Sequence, residues 1–329
     1  MDLQLEQRKD LKEGKCSWCG RKSVFFRKYE GKSLCKNHFC ESIEKKVRKT
    51  VRKYIMIKSG DKICVAFSGG KDSSVVLYLL HKIVKNRRDI KIFAVSIDEG
   101  IAGYRPDSLK IAKKLCENLG IEHHIYSFEE IFGETLDNKM EKIRADPSLK
   151  IKESCTFCGV GRRYAMNKFS RVLGATKLAT GHNLDDETQA VILNYIRGDL
   201  FRASRMGPIT DYSLKEKGGE LFVPRIKPLR EIPEREIGLY ALLKGLEVHE
   251  DECPYATGIR FEARDFLNHL EDKYPGIKFS ILETFEKLIP YIRQFADKEI
   301  GDLVLCKICG EPSSHEVCKT CDLWRVNHG

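Results

Sequence analysis

The sequence predicts an α/β fold: a doubly wound parallel sheet flanked by small N- and C-terminal zinc modules. Three observations carry that prediction. From about Lys62 onward, apolar runs of strand length alternate with helix-patterned runs. The hexapeptide Ser68-Gly69-Gly70-Lys71-Asp72-Ser73 sits directly between the apolar run Ile63 to Phe67 and the helical run that follows it. Cysteine pairs of Cys-x-x-Cys spacing stand near both ends of the chain. Alternation of this kind implies strands covered by helices on both faces, with ligands at the carboxyl ends of the strands. The chain divides accordingly into a module over 1–40, a basic linking helix over 41–60, a catalytic body over 61–300 and a ribbon over 301–329.

In the first module, Cys16-x2-Cys19 is followed after fifteen residues by Cys35-x2-His38. Four soft or borderline ligands in two tight pairs suit tetrahedral zinc, and a unit this small has too few apolar residues to fold without one. Cys40 is an alternative to His38. Over Glu41 to Ile57, Ile43, Val47, Val51, Tyr54 and Ile55 share one face while Lys45, Lys46, Arg48, Lys49, Arg52 and Lys53 cover the other, which predicts a docked helix with a basic outer surface. Residues 1–60 carry 17 Lys or Arg against 7 Asp or Glu, leaving 41 of each sign in the remainder, so this segment accounts for the whole net charge of +10. A basic arm on a neutral body marks a polyanion site; a solvated basic helix is the plainer reading.

In the body, the pattern predicts strand Ile63 to Phe67, helix Ser73 to Lys85, strand Lys91 to Ile97, helix Arg105 to Leu119 and strand Glu122 to Phe128. The glycine pair then joins strand to helix. Two glycines let backbone approach phosphate oxygens, and the N–H groups opening the next helix face the ligand with the positive end of the helix dipole. The cradle comprises Ala66, Phe67, Ser68, Gly69, Gly70, Lys71, Asp72 and Ser73, with Lys71 as a point charge. It is not the Walker loop, because Asp72 stands where that loop needs a magnesium hydroxyl. A bare Gly-Gly turn is the alternative reading. Ser96 and Ile97, before Asp98-Glu99-Gly100, offer backbone for an adenine.

Further on come helix Gly159 to Leu173, short strand Lys177 to Thr180, helix Asp186 to Arg197, a helix opened by Pro233, a sheet ending near Val248, and helices Ile259 to Leu270 and Phe279 to Ile292. Gly181-His182-Asn183-Leu184-Asp185-Asp186-Glu187 opens one of these helices at the same sheet edge. One of its acids is explained as a cap; together with Asp72, the three could hold the Mg²⁺ that ATP chemistry needs. Arg162 and Arg163 could stabilise phosphate charge.

The chain has 13 cysteines, eight of them in Cys-x-x-Cys spacing. No apolar stretch approaches the roughly 20 residues that cross a bilayer, and Asp2, Glu6 and Asp10 argue against a secretion signal, so the expectation is a cytoplasmic chain without membrane contact whose thiols bind metals. Cys306-x2-Cys309 and Cys318-x2-Cys321 form a second zinc site by spacing, with His315 left over. Cys64 and Cys116 read as core. Cys155 and Cys158 have no second pair nearby; Cys253 is the remaining thiol. Three thiolates leave open an iron-sulfur cluster with one free iron, a zinc with another partner, or a nucleophile with a resolving thiol.

The set of motifs is similar to that of the TtuA-type tRNA-uridine 2-thiolases, within the PP-loop ATP pyrophosphatases: the N-terminal Cys/His module, Ser68 to Ser73, Cys155-Thr-Phe-Cys-Gly159, Gly181 to Asp186, Glu252-Cys-Pro-Tyr255 and the four-cysteine ribbon, all in order from Cys16 to Cys321. The resemblance implies that Cys155, Cys158 and Cys253 bind a [4Fe-4S] cluster, that both end modules bind Zn²⁺, and that Ser68, Asp72, Arg162 and Asp186 are catalytic or ATP-site residues, with Gly181 beside the nucleotide. It implies a homodimer that binds ATP and tRNA and draws sulfur from sulfide or from a ubiquitin-like thiocarboxylate carrier. Arg162 departs from the lysine of some relatives, so it reads as a fixed charge and not a proton shuttle. Cys155-Thr-Phe-Cys-Gly-Val with its paired arginines, and Arg197-Gly-Asp199, resemble the branch acting on wobble uridine 34 more than that acting on uridine 54. Two other readings stand beside this one: a cluster-free persulfide or 2-thiocytidine enzyme, and a zinc-module RNA-binding protein with a regulatory nucleotide site.

Overall fold

A computed structural model of the chain describes residues 14–145, 153–210, 221–256, 258–299 and 304–324. Asp2, Glu6 and Asp10, and the boundary drawn between residues 300 and 301, lie outside the described residues.

Two strands, β1 (Phe25–Arg27) and β2 (Lys32–Leu34), form an antiparallel hairpin in the N-terminal module. The basic helix follows, over Lys36–Lys53. It starts five residues earlier than its apolar stripe suggests, because Phe39 and Cys40 are buried and extend the apolar face backward. His38 therefore lies in its first turn, and Cys40 belongs to the core, which excludes it as a substitute ligand.

The body is a six-stranded sheet of β3 (Lys62–Ala66), β4 (Lys91–Asp98), β5 (Glu122–Ser127), β6 (Lys177–Ala179), β7 (Ile209–Thr210) and β8 (Arg225–Ile226). Their spatial order is β5-β4-β3-β6-β8-β7, parallel except for β7, which runs antiparallel to β8 at one edge. The sheet thus ends in the short edge strands β7 and β8; near Val248 there is only a single bridge between His249 and Gly70.

Alternation along β3 and β4 explains the double winding. Ile63 and Val65 face one apolar core with Ala94, while Cys64 faces the other with Phe93, Val95 and Ile97. The first core is roofed by the phosphate-loop helix Lys71–Val84, helix Arg105–Leu119, the basic helix and helix Glu234–Lys244. The second is roofed by helix Ser154–Val172 and by the C-terminal ribbon, whose β9 (Val304–Leu305) and β10 (Pro312–Ser313) lead to a short helix, Lys319–Trp324. Cys116 is buried in the first core and Cys64 in the second, and neither belongs to a group of converging ligand atoms.

Helix Ser154–Val172 begins five residues before the predicted start, because burial of Phe157 fixes a turn that local propensity leaves undecided. Helix Leu184–Ile196 starts two residues early for the reason given below, and helix Ile277–Glu299 accommodates Pro290 in its interior. Among the described residues, no helix is long and apolar enough to cross a membrane.

Candidate active site

The phosphate loop is braced by its own hydroxyls and clamped from three sides. Ser73 Oγ donates to the Gly70 carbonyl at 2.9 Å, lies 3.0 Å from Ser68 Oγ and accepts from the Ser68 N–H at 3.2 Å. Gly70 caps the following helix, with Lys71 as its first residue. The His249 N–H donates to the Gly69 carbonyl at 2.9 Å, and Arg105 Nη1 donates to the Ser68 carbonyl at 3.1 Å. On the third side Gly69, at φ +84°, presses on helix Arg105–Leu119: a Cβ there would lie 2.2 Å from the Ser108 carbonyl oxygen. Both the dihedral and the contact require glycine. Gly69→Ala is therefore expected to weaken ATP binding at least about tenfold by displacing the loop, measured by calorimetry. Ser108→Gly should not rescue it, because the obstructing atom is backbone.

Ala66 ends β3, and Phe67 continues it with an N–H bond to the Val95 carbonyl. Ser96 and Ile97 stand at the expected edge but are buried. Ser96 Oγ donates to the Phe67 carbonyl at 2.6 Å and lies 2.7 Å from His123 Nε2, while the Ile97 carbonyl accepts from Arg105 Nε at 2.9 Å. That carbonyl is thus already engaged and is not a free acceptor for a base.

Asn183, not an acid, caps helix Leu184–Ile196. It forms a capping box with Asp186, whose N–H donates to Asn183 Oδ1 at 2.9 Å while the Asn183 N–H returns to Asp186 Oδ2 at 3.1 Å. The Asn183 amide also donates to Asp72 Oδ1 at 2.9 Å, which ties the two acids into one site. Gly181 makes this approach possible, since its Cβ would stand 3.0 Å from the Asp72 carbonyl carbon and from the Ser73 nitrogen.

The other two acids of the run are elsewhere engaged. Asp185 is buried against Lys278 and accepts from the Glu234 N–H at 2.7 Å, and Glu187 pairs with Lys227 at 2.6 Å and Arg230 at 3.5 Å. These are structural ion pairs, so of the three acids expected to join Asp72 only Asp186 is brought to it. Burial pushes Asp72 up to about 6 even though Lys71, 3.3 Å away, and the Asn183 amide pull the other way. Asp186 is raised by burial as well, against the pull of its partner Arg260. Lys71 is shared with Glu234 at 2.6 Å.

The thiol trio stands at the same sheet edge. Cys155 and Cys158 lie in the opening of helix Ser154–Val172, and Cys253 in the segment just after His249. Cys155 Sγ is 3.4 Å from the Tyr255 carbonyl, and each sulfur lies in the electrostatic field of the others. Burial pushes the Cys158 thiol up to about 12, with Arg162 opposing and Cys253 and Cys155 reinforcing. Arg162 is 53% exposed and lies 3.5 Å from Glu99, which is buried at 2%. The other Glu99 oxygen holds Arg105 Nε at 2.7 Å, and Arg105 in turn holds Ser68. A hydrogen bond and two ion pairs thus run from the phosphate loop through Arg105 and Glu99 to Arg162, which lies in the electrostatic field of Cys158 and Cys253. Arg163 is lowered by burial and by neighbouring Arg225, Arg162 and Arg202, a concentration of positive charge suited to an anion.

Sequence reasoning missed Arg105, Glu99, Asn183 as a bridge, Arg260 and His249 as parts of this site. Glu99 was in view only as part of Asp98-Glu99-Gly100 at a strand end, and Asn183 only as a member of the Gly181 to Glu187 run.

Two sets of ligand atoms among the described residues converge to within 4.8 Å: Cys16, Cys19, Cys35 and His38, and Cys306, Cys309, Cys318 and Cys321. Each is the size of a single ion, and His315 stands outside the second. Cys155, Cys158 and Cys253 do not converge that far, which disfavours a lone zinc and fits a larger polynuclear group. The ribbon also braces their helix: Trp324 Nε1 donates to the Phe157 carbonyl at 3.2 Å, and its ring stacks on Phe132 at 4.5 Å.

Comparison with known proteins supports the fold and the family. Residues 40–269 match the model of the PP-loop domain, and residues 15–40 match that of the 2-thiouridine synthetase TtuA, N-terminal LIM domain. The chain is 38% identical to the tRNA 2-thiolation protein NcsA of Haloferax volcanii over 318 residues, covering 94% of this chain and 97% of that one. It is also 38% identical to the tRNA-5-methyluridine(54) 2-sulfurtransferase of Pyrococcus horikoshii over 312 residues, covering 94% and 93%. Among solved structures it resembles the U34-tRNA thiolase NcsA from Methanococcus maripaludis with its [4Fe-4S] cluster, at 37% identity and a TM-score of 0.79, over 96% of this chain and 97% of that one.

Proposed function

The chain belongs to the TtuA-type family of PP-loop tRNA 2-thiolases, and from that premise we propose that it adenylates O2 of a tRNA uridine and replaces that oxygen with sulfur, acting at position 34 in preference to 54. The contacts from Ser68 through Arg105 and Glu99 to Arg162, in whose electrostatic field Cys158 and Cys253 lie, are the observation that carries this reading, because they set the phosphate loop and the thiols on one side of the same sheet edge. The preference for position 34 rests on Cys155-Thr-Phe-Cys-Gly-Val with Arg162 and Arg163, on Arg197-Gly-Asp199, and on the likeness to a U34 thiolase.

In the first half-reaction the pyrophosphate of ATP lies on Ser68 to Ser73. Uridine O2 forms a bond to the α-phosphorus, the bond from that phosphorus to the bridging oxygen breaks, pyrophosphate leaves, and the N3 proton is lost. Asp72 and Asp186 would hold Mg²⁺, which when bound would supply positive charge to the phosphates and relieve two carboxylates whose ionisation burial disfavours. Lys71 and Arg162 supply fixed positive charge to the departing and remaining phosphates.

In the second half-reaction a hydrosulfide-level sulfur adds at C2, the C2–O bond breaks, AMP departs and a proton returns to N3. Cys155, Cys158 and Cys253 would hold a [4Fe-4S] cluster, which when bound supplies an iron open to sulfide. Arg162 attracts the anionic nucleophile to that corner. The sulfur comes from sulfide or from a ubiquitin-like carrier with a C-terminal thiocarboxylate. Cys16, Cys19, Cys35 and His38, and Cys306, Cys309, Cys318 and Cys321, would each hold a Zn²⁺ that fixes the fold of its module, the basic helix grips tRNA phosphates, the target base is flipped out of its stack to reach the site, and the chain acts as a homodimer.

The test is mass spectrometry of nucleosides and of anticodon-loop fragments from unmodified tRNA incubated with protein, ATP and sulfide under argon. The expected product is 2-thiouridine at position 34, with AMP and pyrophosphate released only when tRNA is present. Thiolation confined to position 54, or to cytidine, would overturn the assignment.

A further inference from the structure

Trp18 occupies a position that the reaction does not explain. It lies between two metal ligands of the N-terminal module and is 50% exposed, with its ring 5.1 Å from the ring of His38 and edge-to-face at 75°. The knuckle that carries it is rigid: the Cys16 N–H bonds the Arg21 carbonyl at 2.7 Å, the Gly20 N–H bonds the Cys16 carbonyl at 2.9 Å, and the Ser17 N–H bonds the Ser33 carbonyl at 2.8 Å. A large aromatic ring held out from a metal-bound turn cannot be explained as core.

Its surroundings are basic. Over residues 14–40 there are seven Lys or Arg against a single acid, Glu30, which is turned inward onto Arg27 and Lys46. Lys15, Arg21, Lys22 and Lys36 are exposed on the same module as Trp18, and none has an ion pair among the described residues. A protein partner would find an aromatic ring with cations and no acceptors. A nucleic acid offers both a π-face for the ring and phosphates for the cations, and this combination of stacking platform and basic groove is how unpaired nucleotides are held.

We propose that Trp18 stacks on an unpaired base of the tRNA, so that the N-terminal module reads a single-stranded part of the substrate as well as gripping its backbone. This rests on the tRNA-thiolase reading and deepens it. Stacking of one base accounts for roughly a tenfold share of affinity, and every base can supply it, so Trp18 contributes binding with little sequence preference.

The geometry provides its own probe. The chain has two tryptophans, and Trp324 is buried at 1%, so a change in tryptophan emission on adding RNA that is absent from Trp18→Phe reports on Trp18. With metal-replete protein and unmodified tRNA, the expected result is saturable quenching with the same midpoint as the gel shift. Trp18→Ala should weaken binding roughly tenfold and Trp18→Phe should retain most of it, both at unchanged zinc content. Quenching to the same extent by heparin, or tRNA binding by Trp18→Ala as tight as by the native chain, would reduce the contact to phosphates alone and overturn the stacking while leaving the thiolase reading intact. Absence of tRNA binding by the native protein would overturn both.

Discussion

Cys253→Ser is expected to abolish 2-thiouridine formation while tRNA-dependent release of pyrophosphate from ATP in the first turnover stays within several-fold of the native rate. Serine is close to cysteine in size, and the bond that ties this segment to the phosphate loop is a backbone N–H of His249, so the substitution leaves the cradle in place. What it removes is a soft ligand, and a hydroxyl is a poor replacement for a thiolate at iron. Losing an outer partner of a metal ligand already costs about 10- to 100-fold, so losing a ligand itself should exceed that. The visible absorbance of anaerobically reconstituted protein, read beside nucleoside mass spectrometry and pyrophosphate release, separates the two half-reactions. A brown, thiolating Cys253→Ser protein would remove this residue from the trio.

Asp72→Asn is expected to lower the turnover of ATP by roughly a hundred- to a thousandfold, the scale of losing one charge contact made in a transition state, and at the same time to stabilise the nucleotide-free fold. The second effect follows from burial. The carboxyl is raised from an ordinary 3.8 to about 6, about two pH units, which costs the folded state up to about 3 kcal/mol when ionised. Because the folded value lies above the unfolded one, the cost is fully present above pH 6, shrinks as the pH falls through 6 toward 3.8, and is gone below. The Asp72→Asn substitution should therefore raise the melting temperature of Mg²⁺- and ATP-free protein at about pH 8 and make little difference at about pH 4. In the native enzyme the same titration predicts that apparent Mg²⁺ affinity declines below about pH 6. Equal melting of the two proteins under the alkaline condition would show that Lys71 already neutralises the charge, and a normal turnover would remove Asp72 from the ATP site. Such an exchange of stability for function is common where carboxylates are gathered to meet a cation.

Much of this architecture was readable from local pattern. The phosphate loop was identifiable because its glycines have a strand on one side and a helix on the other. Both end modules were identifiable because metal ligation is encoded in spacing. What was not readable depends on partners distant in sequence. Nothing local distinguishes Asp186, which faces Asp72, from Asp185 and Glu187, which face Lys278 and Lys227. Arg105 opens a predicted helix, and only the fold reveals that it spans from Ser68 to Glu99. β7 and β8 have two residues each and so carry no periodicity. The start of helix Ser154–Val172 was placed late because cysteine, threonine and glycine give little helical signal, whereas a buried Phe157 decides the matter in three dimensions.

The hydrogen bond from Trp324 to the Phe157 carbonyl bears on how the protein matures. Residues 304–324 are synthesised after the turn that carries Cys155 and Cys158, yet they form one wall against it. While the chain is still growing, that turn lacks its backing, and the two thiols have no fixed arrangement to offer an iron donor. Under the proposed function, closure of the four-thiol ribbon is expected to precede cluster loading, and protein expressed without zinc is expected to take up less iron on reconstitution than zinc-replete protein.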